Sequence, residues 1–292
     1  MIRTRLTELL ELSVPVIQAP MAGGGDTVEL VAAVCNAGAL GSAGAAYLTP
    51  EQIIERGRAI RARTSRPFGI NLFAPQPAPE PDDDAIKRAV DAVRPWFEEL
   101  GLAPPTRPTA PASRFEDQMA ACLETGAAVF SFTFGPLSRS AVDEIKRHNM
   151  IVMGTATTVA EARALADAGV DAVVAQGSEA GGHRGTFLGD FASAMVGSMA
   201  LIPQIADAVS VPVIASGGIM DGRGVAAAIL LGACGAQIWN SFPDVQRGRD
   251  RAGLPGCDRV GPGRWHGHHA RFLRTAGARD RKPGPAALRA DR

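Results

Sequence analysis

Short apolar runs alternating with helical stretches predict an α/β chain, and their number predicts a closed TIM (β/α)8 barrel. Three observations carry this. The runs are rich in Val, Ile and Ala without the alternation of a half-exposed strand, as in a parallel sheet covered on both faces. Helical periodicity lies between successive runs, as right-handed crossovers require. Seven runs are evident and an eighth fits Gly235–Ile238, the number that closes a barrel. Periodicity alone leaves a doubly wound open sheet as the alternative.

In chain order the expected strands are Val14–Ala19, Ala39–Ser42, Phe68–Phe73, Ala127–Phe132, Ile151–Gly154, Ala172–Ala175 and Val211–Ser216. The expected helices are Thr27–Asn36, Pro50–Arg63, Ser138–His148, Val159–Ala168 and Gly224–Leu231. Thr158 precedes one of them as a cap, and Gly169 follows it as a stop. Residues 74–114 interrupt the rhythm with Pro75, Pro77, Pro79, Pro81, Pro104, Pro105, Pro108 and Pro111 around one helical pattern, Asp84–Leu100. This insertion reads equally as a lid, a small subdomain or a plain spacer.

Composition narrows the function classes. The 292 residues carry 30 basic and 30 acidic side chains, so no net field marks a nucleic-acid or membrane partner. No apolar run approaches the ~18 residues of a membrane span. The first ten residues include Arg3, Arg5 and Glu8, which is unlike a cleavable leader. Cys35, Cys122, Cys234 and Cys257 are scattered, which predicts reduced thiols, a cytoplasmic setting and no metal site.

In such a barrel the turns after the strands decide chemistry. After the first strand, Gln18–Gly24 includes Pro20, Met21 and Ala22 followed by glycines that let a flat ligand approach the backbone; a plain turn reads as well. Asn71 near the end of the third strand has an amide suited to a heteroaromatic edge, or to capping a loop. After the sixth strand, Gln176, the pair Gly181-Gly182 and His183 share one loop, and His183 is the candidate proton carrier. After the seventh, Gly217 and Gly218 present bare N–H groups ahead of a helix start, a phosphate signal, with tight turn packing as the alternative.

Six segments together resemble the nitronate monooxygenase family, once called 2-nitropropane dioxygenases. They are QAPMAGG (Gln18–Gly24), GINLF (Gly69–Phe73), SFTFG (Ser131–Gly135), GTATTVAEA (Gly154–Ala162), AQGSEAGGHRG (Ala175–Gly185) and PVIASGGIMDGRG (Pro212–Gly224). The resemblance implies an FMN-dependent barrel that converts an alkyl nitronate and O2 to a carbonyl compound and nitrite. It implies FMN at the barrel mouth, its ring near Met21, Ala22, Asn71 and Gln176 and its phosphate on Gly181, Gly217, Gly218 and residues just after Gln237. His183 would be the catalytic base or would orient the anionic substrate. The partners implied are a small nitronate and O2; a homodimer is left open. An FMN-dependent enoyl-acyl-carrier-protein reductase or other NAD(P)H–flavin oxidoreductase shares the glycine loop and the His. A barrel binding phosphorylated metabolites without flavin shares the glycine pair but gives no reason for Gln176 and His183 to stand in one loop.

The resemblance breaks after Gln237. Members continue with a Gly-Thr-Ala-Phe-Leu type segment, whereas this chain has Ile238-Trp239-Asn240-Ser241-Phe242. One base out of register, codons for Trp239–Pro243 can spell Gly-Thr-Ala-Phe, and codons for Ala270–Lys282 can spell RAFSGRPARGIAN, which is similar to the family's C-terminal segment. A reading-frame shift near residue 238 is therefore expected; a natural basic tail is the alternative. Residues 1–242 are expected to form the FMN-binding barrel. Residues 243–292, with eleven arginines and eight glycines, are expected to be a poorly ordered tail. Such a chain is expected to hold FMN weakly, and the extreme reading is an inactive pseudoenzyme.

Overall fold

The computed structural model describes residues 2–75, 82–103, 105 and 114–239. In chain order the elements are α1 (Arg5–Leu9), β1 (Val16–Gln18), α2 (Val28–Asn36), β2 (Gly41–Gly44), α3 (Pro50–Arg61) and β3 (Phe68–Phe73). Then come α4 (Asp83–Glu99), α5 (Phe115–Leu123), β4 (Val129–Thr133), α6 (Arg139–Arg147), β5 (Ile151–Ala156) and α7 (Val159–Asp167). The last are β6 (Ala172–Gln176), α8 (Ser198–Ala208), β7 (Val213–Ser216), α9 (Gly222–Leu230) and β8 (Gly235–Ile238).

All eight strands are parallel, in the order β1-β8-β7-β6-β5-β4-β3-β2. The Ile17–Leu40 bridge, with Gln18 N–H donating to Leu40 O at 2.8 Å and Leu40 N–H to Val16 O at 3.0 Å, joins β1 to the chain entering β2. The structure is thus the expected (β/α)8 barrel, not an open sheet. All eight expected strands exist; the first, second, fourth and seventh each begin two residues later than their apolar runs suggested. Except for α5 and α8, the described helices start where a short polar N-cap side chain satisfies an orphan N–H group. Thr49 and Gln52 form a capping box ahead of Pro50, and Thr27, Ser138, Thr158 and Asp221 each accept a bond from the first turn of their helix. Three helices were not expected from the sequence: α1, α5 and α8.

The insertion contributes α4, one residue off the expected span and burying no side chain. Pro77, Pro79, Pro81, Pro104, Pro108 and Pro111 lie outside the described residues, as does the expected tail at 243–292.

Strand alternation sets the interior. Phe68, Ile70 and Leu72 on β3, and Phe130 and Phe132 on β4, join the large buried cluster that the helices cover. A second cluster fills the lower barrel: Ile17, Val129, Met153, Val174 and Ile214, plugged from below by Leu6 of α1. Leu6 enters because β8 has a glycine there; a Cβ on Gly235 would stand 2.4 Å from its Cδ2. One step up the same strands, the inward residues are polar: Asn71, Ser131, Thr155, Gln176, Ser216 and Gln237. They line a cleft at the C-terminal mouth with about 1140 Å3 of empty space open to solvent.

Candidate functional site

The cleft gathers most of the residues singled out by the sequence. Ala22, Asn71, Gln176, Gly181, His183, Gly217, Gly218 and Gln237 all line it. Met21 does not: its side chain is buried, and its N–H donates to Asp26 Oδ2 at 2.8 Å. Burial pushes the Asp26 carboxyl up even though the Arg56 guanidinium beside it pulls the other way. This buried pair shapes the β1 turn, since Asp26 also accepts from Gly44 N–H at 2.5 Å.

His183 rides on the loop after β6, and Gln176 holds that loop. The amide Nε2 of Gln176 donates to His183 O at 2.8 Å, and its Oε1 accepts from Gly185 N–H at 2.8 Å. Arg184 clamps the next residue down, donating from Nη1 to Gln176 O at 2.5 Å and from Nη2 to Ala194 O. Further along, buried Glu161 of α7 accepts from Thr157 N–H at 2.6 Å and from the N–H groups of Phe187 and Leu188 at 2.5 and 2.8 Å. The glycine loop is therefore anchored at both ends, leaving His183 projecting and exposed. Neither ring nitrogen of His183 has a hydrogen-bond partner among the described residues. Its ring stands edge-on to Phe73 at 5.6 Å and to Phe134 at 6.0 Å between centroids.

Phe134 was not singled out as a site residue. It sits at φ +76°, a region costly for a bulky side chain, and Gly135 follows at +128°. The strained turn after β4 aims the Phe134 ring at Phe73, 5.0 Å away, so that both rings wall the imidazole. A bulky aromatic just before a glycine at a strand end was the available signal.

Beside the His183 loop, on the neighbouring strand, the cleft is walled by backbone. Gly217 and Gly218 have φ +110° and +70°, where L side chains are strained. A Cβ on Gly217 would stand 3.0 Å from Ser198 Oγ and 3.1 Å from Ala180 N. The N–H groups of Gly181, Gly182, Gly217 and Gly218 donate to no protein acceptor among the described residues. Among the described residues no Lys or Arg lines the cleft. Attraction for an anion therefore rests on these uncommitted amides.

Glu179, also missed, ties the two glycine loops to α8. Its carboxylate accepts from Ser198 N–H at 2.9 Å and from Ser198 Oγ at 2.8 Å, capping a helix whose N-cap is the glycine Gly197. Burial pushes this carboxyl up, but the Ser198 bonds and nearby Arg184 outweigh it and hold it below the ordinary carboxylate range.

A glycine-walled cleft with one free imidazole at the mouth of a parallel barrel has family parallels. The nitronate monooxygenase family model matches residues 3–242. The chain belongs to the nitronate monooxygenase family. It is 41% identical over 240 residues to a protein of Staphylococcus haemolyticus named "Probable nitronate monooxygenase", covering 82% of this chain and 67% of that one. Among solved structures it is similar to nitroalkane oxidase from Streptomyces ansochromogenes: TM-score 0.75, 36% identity, 82% of this chain and 68% of the other. It is also similar to FabK from Thermotoga maritima: TM-score 0.62, 30% identity, 84% and 63%. Family membership makes the chain one of a family of oxidoreductases. No described helix is long and apolar enough to cross a membrane.

Proposed function

We propose that this chain is an FMN-dependent nitronate monooxygenase, taking an alkyl nitronate and O2 to a carbonyl compound and nitrite, with residues 1–242 as the FMN-binding unit. The observation that carries this reading is a free imidazole and four uncommitted glycine amides lining one cleft. Those amides suit the anionic end of FMN, because a side chain at 217 or 218 would fill the cradle. Ala22 and Asn71 suit the ring: the first is small, and the second donates to Ser131 Oγ at 3.0 Å and keeps Oδ1 without a protein donor among the described residues. When bound, FMN supplies the redox chemistry.

The chain's own residues supply position and proton handling. Gln176 and Arg184 fix the loop so that His183 stays over the mouth. A free ring nitrogen of His183 takes the α-proton of a neutral nitroalkane, or hydrogen-bonds a nitronate oxygen when the substrate arrives as the anion. Phe73 and Phe134 shield that nitrogen from bulk water on one side and offer an apolar surface to the alkyl group.

Anaerobic mixing of the FMN-loaded protein with propionate 3-nitronate tests this reading. Fast bleaching of the flavin band by the nitronate, and slow bleaching by NADH or NADPH, is expected. The reverse order supports the second reading, an enoyl-acyl-carrier-protein reductase or other NAD(P)H–flavin oxidoreductase. The likeness to FabK keeps that reading in view. A colourless protein that takes up no FMN would overturn both.

A further inference from the structure

Trp239 stands at the anionic end of the cleft. It follows β8 directly, two residues after Gln237, and lines the same cleft as Gly182, Gly217 and Gly218. The benzo ring of its indole packs over Gly182: a Cβ placed there would lie 3.1 Å from Cζ3 and 3.3 Å from Cε3 and Cη2. The atoms nearest Gly182 are thus the apolar edge of the ring, on the side away from Nε1. The indole N–H donates to no protein acceptor among the described residues. An apolar plate therefore packs over the α-carbon of Gly182, beside one of the four amides that would receive an anion.

We infer that Trp239 acts as a plug at the phosphate end, so that this chain discriminates poorly between flavins with and without a terminal phosphate. The inference rests on the flavin reading above and concerns only the anionic end. A phosphate oxygen needs a direct approach within about 3 Å to gain a charge-assisted bond from an amide. Among the described residues no Lys or Arg lines the cleft to compensate for an amide that is hindered. Removing the indole should uncover Gly182 and open the space beside Gly217 and Gly218. The ring-binding surface lies at Ala22, in the turn after β1, and at Asn71, on β3, and should be unaffected.

The test compares the full-length parent with Trp239→Gly and Trp239→Ser, using Trp239→Phe as a control that keeps an aromatic plate. FMN and riboflavin are titrated into each, and inorganic phosphate is scored separately by its effect on Tm, which rises with occupancy of a folded-state site. Expected is at least a tenfold fall in the FMN Kd for Trp239→Gly, a riboflavin Kd within about twofold of the parent, and parent-like values for Trp239→Phe. A larger phosphate-dependent rise in Tm is expected for the glycine and serine variants. Equal shifts for FMN and riboflavin, or weaker FMN binding without the indole, overturn the plug. If no variant binds either flavin, the flavin reading fails. In that case the phosphate titration decides: a rise in Tm confined to the glycine and serine variants upholds the plug, and an equal rise in all four proteins overturns it.

Discussion

The floor and the mouth of the barrel share β4, β5, β6 and β7, at inward positions two residues apart, yet hold opposite chemistry. At the floor, Ile17, Val129, Met153, Val174 and Ile214 close around Leu6, and the packing excludes water. At the mouth, Asn71, Ser131, Thr155, Gln176, Ser216 and Gln237 take the equivalent inward positions around an open cleft. The floor is stabilised by apolar area removed from water. The mouth gives up that area and is held by directed bonds instead: Gln176 to the His183 loop, Glu179 to Ser198, Glu161 to the loop after Thr186. The floor should therefore govern stability and the mouth activity, and substitutions at each end should separate the two.

The largest separation is expected at His183. Its side chain is exposed and bonds to nothing described, so His183→Asn should leave Tm within about 1 °C. Turnover of a neutral nitroalkane should fall by roughly 10²–10⁴-fold, the usual contribution of a positioned acid–base group. Steady-state kinetics beside an FMN titration checks this. Equal loss of turnover and flavin content would make His183 a structural residue.

Leu6→Ala is the matching experiment at the floor. A truncated, fully buried leucine leaves a cavity and should cost about 2–5 kcal/mol, lowering Tm by roughly 10 °C. The FMN Kd of the folded protein should stay unchanged, because Leu6 lies at the far end of the interior. A parallel loss of affinity would show that floor and mouth are coupled.

How much of this contrast could be read in the sequence depended on how local its causes are. The eight strands were legible because each apolar run is continuous. The glycine loops were legible because φ > 0 and close approach leave glycine as the residue that fits. Helix α8 was hidden: Pro203 interrupts its pattern, and its cap comes not from its own flank but from Glu179, nineteen residues away in sequence. Helix α5 lacks a side-chain cap and follows the proline-rich stretch. The Asp26–Arg56 pair spans thirty residues and leaves no local trace, which is why Met21 was placed in the site while its N–H in fact serves Asp26. Trp239 was visible as a break in the family pattern, but its contact with Gly182 required the fold. Resequencing the gene should show one extra base, or two missing, near codon 239; an intact frame would make the indole a genuine feature of the protein.

A smaller effect is expected from Phe134→Gly. It removes the strained φ, worth about 1 kcal/mol in favour of folding, while taking away one wall of the imidazole. Stability should hold or rise slightly, and turnover should fall severalfold, more for bulky alkyl substrates than for nitromethane. Unchanged selectivity across an alkyl series would show that the Phe134 ring does not meet the substrate.

The smallest effect is expected at Glu179, where the sign can be worked out. Its carboxyl titrates below the ordinary range in the folded chain. The stabilisation from its bonds to Ser198 is therefore fully present above the unfolded value near 4.5 and is lost as pH falls through the folded value. Because Glu179 is largely exposed, solvent screening limits the contribution to under about 1 kcal/mol. Glu179→Gln should lower Tm by at most about 3 °C at pH 7 and by the same amount at pH 6. Below pH 4 the parent should approach the variant as its own carboxyl becomes neutral. A gap that persists once the carboxyl is protonated would mean that the glutamine fails for its shape and not its charge. The clamp between the two glycine loops would then be steric, like the packing of the floor.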